Sequence, residues 1–246
     1  MRYLKLYGER HTSTNYLSRV IALNLDVEEL IGIAPRWLNR LDHILRTGHR
    51  LRDRYFERQF ASTLGWKHMR VQPERLSRLP LVENDEVALV TLTKNPYAWL
   101  LSLHRNPYHQ AAAPGELETF LQTPLTPLGR EGLTAPLDPV SLWNEKNRAY
   151  LELADHGAFN LTSEALLASP EQAITTIAER FSLPRRGPFV NFEHSTKKRP
   201  GQDGDFYRDY YLNERWRERL SAQAIDIINA NLDPEVVNAY DYELIS

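Results

Sequence analysis

The stretch Val87-Ala88-Leu89-Val90-Thr91-Leu92-Thr93 narrows the fold more than any other feature of the chain. It is nearly continuous in apolar and β-branched residues, without polar alternation. Such a run belongs to a strand covered on both faces, which is the habit of parallel sheets. Asn95-Pro96 follows, with proline where a first helical residue belongs, and Leu100, Leu101 and Leu103 give the next helix an apolar stripe. Tyr3 to Tyr7 predicts another strand at the start of the chain. A polar break from Gly8 to Ser13 leads to Leu17, Val20, Ile21 and Asn24 at helical spacing. A helix is therefore expected from about Thr14, with Thr12 or Ser13 as its N-cap. Two strand–loop–helix units, about ninety residues apart, argue for a three-layer α/β/α fold with a central, mainly parallel sheet.

Further elements are expected along the chain. Short strands are predicted at Glu29–Ala34, Leu64–Met69 and Phe159–Thr162, and a polar, Arg-rich helix or loop over Arg40–Ala61. Helices are predicted at Pro73–Leu79, Ser141–His156 and Pro170–Phe181, with a long amphipathic one over Asn213–Leu232. Residues 111–140 gather proline and glycine and read as an irregular flap. No repeat or linker divides the 246 residues, so a single domain is expected.

Composition excludes several classes. There is no cysteine, hence no disulfide framework, thiolate metal site or Cys nucleophile. No apolar run is long enough for a transmembrane helix, and Met1 to Tyr7 lacks a signal core, so a cytoplasmic protein is expected. The net charge of −2 conceals a basic block: eleven cations and four acids lie between Arg36 and Arg78. It reads either as an anion-recognising surface or as a solvated helix face.

The first loop contains Arg10, His11, Thr12, Ser13, Thr14 and Asn15. A loop entering a helix aims several N–H groups at one spot, and hydroxyls with a guanidinium suit a phosphate or sulfate there. The pattern G-x-x-x-x-G-K-[ST] is absent, which disfavours an ATPase or kinase. A merely capped first helix is the other reading. At the second unit, Lys94 ends the buried strand and Ser102 lies two turns into the following helix, able to face the same sheet edge. A third loop, His194 to Phe206, contains Lys197, Lys198, Arg199, Gly201 and Gly204.

Together these elements resemble the P-loop sulfotransferase superfamily, which uses 3′-phosphoadenosine 5′-phosphosulfate (PAPS). Arg10 to Leu17 is similar to the family's P-K-S-G-T-T-W-L loop, with Ser13 at the usual Gly and His11 at the usual Lys. Serine in place of glycine implies a less demanding backbone at that position. The resemblance implies that residues 10–15 hold the 5′-phosphosulfate, with Arg10, or His11, supplying the charge at the bridging oxygen. Lys94 to Ser102 is similar to R-N-P-x-D-x-x-x-S, which implies that Lys94 and Ser102 bind the 3′-phosphate. Leu161 to Pro170 looks like R-Y-E-D-L-L-x-D-P without its leading pair. Lys198, Arg199 and Gly201 look like a distant form of the late R-K-G loop over the nucleotide.

Trp66-Lys67-His68 is the nearest match to the family's K-T-H stretch. It makes His68 the expected general base, with Lys67 steadying the sulfuryl group. His104 and His109 are further base candidates. The implied reaction moves a sulfuryl group from PAPS to a hydroxyl or amine, leaves PAP and requires no metal. The acceptor is a small molecule, glycan or carrier-bound intermediate; no nucleic-acid partner is expected. A non-catalytic nucleotide- or sulfoglycan-binding relative and an atypical P-loop phosphotransferase are the alternatives.

Overall fold

A computed structural model describes residues 1–107, 115–193 and 204–246. Its strands are β1 (Tyr3–Gly8), β2 (Glu28–Glu29), β3 (Val87–Thr93) and β4 (Phe159–Thr162). Helices α1 (Thr14–Asn24), α2 (Arg36–Ile44), α3 (Arg50–Arg58), α4 (Phe60–Thr63), α5 (Pro73–Ser77) and α6 (Pro80–Glu83) precede β3. Helices α7 (Pro96–Arg105), α8 (Leu117–Leu121) and α9 (Pro139–Glu152) lie between β3 and β4. After β4 come α10 (Ser163–Ala168), α11 (Pro170–Arg180), α12 (Gly204–Leu212), α13 (Ala222–Asn231) and α14 (Pro234–Ala239).

The sheet order is β2-β1-β3-β4 and every pairing is parallel. Alternation sorts the side chains of β1 and β3 to two covered faces. Leu4, Leu6, Ala88, Val90 and Leu92 pack with Leu17 and Ile21 of α1 and Ile174 and Ile177 of α11. On the opposite face Tyr7, Val87 and Leu89 meet Phe56, Phe60 and Tyr150. The expected three-layer α/β/α arrangement is therefore present. A third, all-helical core gathers Trp99, Trp143 and Trp216 with residues of α8, α13 and α14.

Lys5 stands on the second face, fully buried, with Nζ donating to the carbonyls of Thr63 and Gly65, both at 2.6 Å. Burial is the main force pulling its pKa down, to about 7. This cation fastens the 63–65 turn under the end of β1.

Three expectations need correction. Leu64–Met69 is a turn, not a strand: Leu64 and Gly65 both have positive φ (55° and 78°), and Met69 N donates to Trp66 O. Its apolar spacing reports burial of Leu64, Trp66 and Met69 rather than a ladder. The strand expected over Glu29–Ala34 is limited to Glu28–Glu29, because Gly32 leaves the sheet edge to receive Lys67 N on its carbonyl at 3.2 Å. A Cβ at Gly32 would come within 2.5 Å of Lys67 N, so that approach requires glycine.

The long helix expected over Asn213–Leu232 is broken. Glu214 is left-handed at φ 50°, Leu220 is extended, and Ser221 caps α13 by accepting from Ala224 N at 3.0 Å. Trp216, Ala224 and Ile228 still face one core, which is why the period looked continuous. The 111–140 flap contains α8 and a 3₁₀ turn at Gly129–Glu131; its residues 111–114 lie outside the described part.

Candidate functional site

In the order β2-β1-β3-β4 the chain leaves β1 toward one neighbour and returns to the other. The switch point thus lies between the carboxyl ends of β1 and β3, where open α/β sheets bind ligands. Gly8 pairs with Leu92, so the loop after β1 and the Lys94-Asn95 corner after β3 lie side by side. They are also tied directly. Trp99 Nε1 donates to Arg10 O at 2.8 Å, and Ser163 Oγ lies 2.7 Å from Thr12 O and 2.8 Å from Thr93 O.

The first loop is tightly wound. His11 (φ 70°) and Ser13 (φ 66°) are left-handed, so the ordinary backbone expected at Ser13 is not what this loop adopts. The conformation costs a non-glycine residue about 1–2 kcal/mol. It turns the chain sharply into α1 without a side-chain cap from Ser13. The backbone N–H groups of Ser13, Thr14 and Asn15 consequently find no acceptor among the described residues. Three free donors at the positive end of an 11-residue helix form a cradle for an oxyanion. Gly8 is required beneath it, since a Cβ there would come within 2.6 Å of Leu92 O. Thr12 Oγ1 donates to Glu9 O at 2.6 Å, stiffening the bend.

A buried charge network supports the loop from below. Glu9 pairs with Lys146 of α9, and its other oxygen accepts Arg10 N at 2.6 Å. Lys146 also donates to His68 O at 2.8 Å. Arg10 turns down into the protein, 3.0 Å from Glu131 and with its guanidinium 4.7 Å from the centre of the Trp66 ring. Arg130 covers the same ring at 4.8 Å and pairs with Asp53 at 2.6 Å. His11 reaches outward instead, its Nε2 3.0 Å from Asn106 O.

Lys67 and His68 meet the loop from the neighbouring turn. Lys67 Nζ donates to Asn15 Oδ1 at 2.6 Å, which places a cation at the first turn of α1. Its pKa is lowered by burial, against the opposing pull of Glu29. His68 Nδ1 lies 2.5 Å from Gly8 O. A carbonyl can only accept, so Nδ1 carries the proton and Nε2 is the basic nitrogen. Burial, then the cations Lys67 and Arg10, hold the imidazole well below its usual pKa.

His68 is therefore neutral in the native state at neutral pH. Unfolding lets it take up a proton near 6.5, so stability present above that pH is lost as the medium is acidified below it. Unfolding midpoints from neutral to mildly acidic pH should fall more steeply for the wild type than for His68→Gln. Parallel slopes for the two proteins would rule out this source of acid sensitivity.

At the second corner, Lys94 is buried and its Nζ lies 3.3 Å from Ser102 Oγ. The sequence placed this pair on one sheet edge, and the structure brings the two side chains together. Tyr211 of α12 covers them, with Lys94 Nζ 3.5 Å from its ring centre. Burial raises the Tyr211 pKa, but Lys94 and the hydrogen bonds with Lys94 and Ser102 outweigh it and leave the phenol below its usual value. Burial likewise lowers Lys94. Thr93 Oγ1, next to this corner, is buried without a hydrogen-bond partner among the described residues. A buried hydroxyl of that kind is a vacant donor beside Lys94.

Lys198, Arg199, Gly201 and His109 lie outside the described residues. His104 packs on Phe120, ring centres 5.1 Å apart. Glu9, Glu131, Lys146 and Tyr211 were missed by sequence reasoning. A lysine on the apolar face of a helix was the available signal for Lys146; nothing in the sequence marked Tyr211. Among the described residues no group of three or more His, Asp or Glu is placed to hold a metal ion.

No family model matches the chain, and no curated protein matches it. The sulfotransferase domain of the Synechococcus PCC 7002 olefin synthase is similar in structure, with 14% sequence identity and a TM-score of 0.40 over 98% of this chain and 95% of that one.

Proposed function

We propose that the chain is a sulfotransferase that takes a sulfuryl group from PAPS and passes it to a hydroxyl or amine. The observation that carries this reading is the pair of adjoining anion corners at the β1–β3 switch point. One offers the free N–H groups of residues 13–15; the other offers buried Lys94 with Ser102. A nucleotide phosphorylated at two separate positions suits two such corners. Thr93 Oγ1, lacking a partner, fits the same demand for an anionic guest.

PAPS supplies the activated sulfuryl group when bound. The residues of this chain then have separate tasks. The α1 N-terminus and Lys67 hold the 5′ side, and Lys67 balances negative charge on it. Lys94 and Ser102 hold the 3′-phosphate. Arg10, placed beneath the loop against Glu131, acts on it by shape more than by direct charge. His68, neutral with Nε2 unprotonated, takes a proton from the acceptor; such help is typically worth about 10²–10⁴-fold. Its depressed pKa keeps the base form populated into mildly acidic solution.

Calorimetry with PAP and with ATP tests the nucleotide assignment. PAP binding without ATP binding is the expected result, and the reverse would end the sulfotransferase reading. Transfer of labelled sulfate by the wild type and by His68→Ala separates an enzyme from a binding protein. The variant should lose about 10²–10⁴-fold in turnover while retaining PAP. Equal turnover would remove His68 from the role of base.

A further inference from the structure

We infer that helix α2 and the residues before it form a docking surface for an anionic lipid bilayer. Folded proteins seldom leave a cluster of large apolar side chains in water unless something covers it. Here Ile31 (65% exposed), Ile33, Trp37 (63%), Leu41, Ile44 (72%) and Leu45 all lie within residues 31–45 and all are exposed. At about 100° per residue, Trp37, Leu41 and Ile44 fall within about 60° of arc on α2. Leu38 and Asp42, on one flank of that arc, are the residues of α2 that turn into the protein. The apolar face is therefore a second face of the helix, additional to the one that packs.

The other flank is cationic. Arg40 and Arg36 follow the apolar arc on the side away from Leu38, and both are exposed. Arg46 and Arg50 continue the basic edge past the end of the helix. None of these four arginines forms an ion pair with a described residue. From Leu30 to Arg52 the one acid is Asp42, which is buried and engaged by Arg52 and Thr47. Between Leu30 and Arg52 the chain thus presents tryptophan and branched aliphatics edged by arginine, with no exposed carboxylate in that stretch.

That chemistry matches an interface of acyl chains under anionic headgroups. Apolar side chains reach the headgroup–acyl boundary, while arginines stay at the phosphate level. A second copy of the chain fits poorly, because its matching face would bring four more unpaired arginines and no exposed acid from residues 30–52 to neutralise them. Among the described residues no helix is long and apolar enough to cross a membrane, so the contact is peripheral. Ile31 and Ile33 flank Gly32, whose carbonyl receives Lys67 N. A docked α2 therefore sets the β1–β3 site close to the lipid headgroups. The inference does not depend on the sulfotransferase reading.

Co-sedimentation of the full chain with vesicles tests it, using phosphatidylcholine alone and phosphatidylcholine mixed with phosphatidylserine. The protein should pellet with the mixed vesicles, and much less with phosphatidylcholine. High salt should release it. The double variant W37S/I44S, altered only at exposed side chains, should keep its thermal unfolding midpoint and lose binding at least ten-fold. R36Q/R40Q should lose about five-fold per arginine, the effect of about 1 kcal/mol each at an anionic surface. Three results would each overturn the inference. One is no binding to mixed vesicles. Another is unchanged binding by W37S/I44S. The third is a lipid-free dimer that these substitutions dissociate. Loss of vesicle binding leaves PAP binding untouched, so the two proposals fail separately.

Discussion

Lys146→Met is expected to lower the free energy of unfolding by about 3–5 kcal/mol, the usual cost of leaving a buried charge without its partner. For a chain of this size that is a fall of roughly 6–20 °C in the thermal midpoint. The lysine is fully buried, pairs with Glu9 and donates to His68 O. Its removal leaves the Glu9 carboxylate inside the protein with the Arg10 guanidinium 3.7 Å away. The Glu9→Gln/Lys146→Met double variant should be less destabilised than the two single effects summed, because the orphaned charge is gone. Denaturant unfolding of the four proteins measures this. Strict additivity, or a single-variant loss below about 1 kcal/mol, would show that the network is no more than a surface-grade ion pair. The effect should also reach function, since Glu9, Arg10 and His68 all touch the loop that presents the free N–H groups.

Lys94→Met is expected to weaken PAP binding about 30-fold to a few thousand-fold, which corresponds to about 2–5 kcal/mol for truncating one side of a buried charge pair. The size of the effect follows from burial: Lys94 is held against Ser102 and the Tyr211 ring with almost no water to compensate. Lys94→Arg keeps the charge and should bind PAP within about ten-fold of the wild type, the guanidinium offering a bidentate fork at the cost of bulk under Tyr211. Calorimetry on both variants, with adenosine 5′-phosphate as a second ligand, checks the position as well as the charge. The Lys94→Met penalty should nearly vanish for adenosine 5′-phosphate, which has no 3′-phosphate. An equal penalty for both ligands would move Lys94 out of that corner.

The features shared by sequence pattern and structure are local. Val87–Thr93 is a strand buried on both sides because its side chains are apolar on both sides. Pro96 starts α7 because its missing N–H is not needed there, and Asn95 accepts from Tyr97 N and Ala98 N. Lys94 and Ser102 meet because strand direction and helical rise fix where each emerges.

The errors share a cause as well. At Leu64–Met69 and Asn213–Leu232 the apolar spacing was real, but burial pattern does not say how the backbone's own hydrogen bonds are made. A positive φ at Gly65 or Glu214 leaves no mark in hydrophobic periodicity. Likewise the serine at position 13 is permissive by residue type, yet in the loop it is left-handed, at φ 66°.

The parallel α/β architecture, the two strand–loop–helix units and the residue types at their corners are legible in the order of residues alone. Those follow from short-range rules of side-chain period, proline geometry and capping. Which charges face each other is settled by the packing: Arg10 turns inward to Glu131, Lys146 crosses from α9 to Glu9, Tyr211 covers Lys94, and α2 leaves Trp37 and Ile44 exposed. These pairings join residues far apart in the chain, and burial sets their strength. Burial belongs to the packed whole, so no local stretch of sequence contains it.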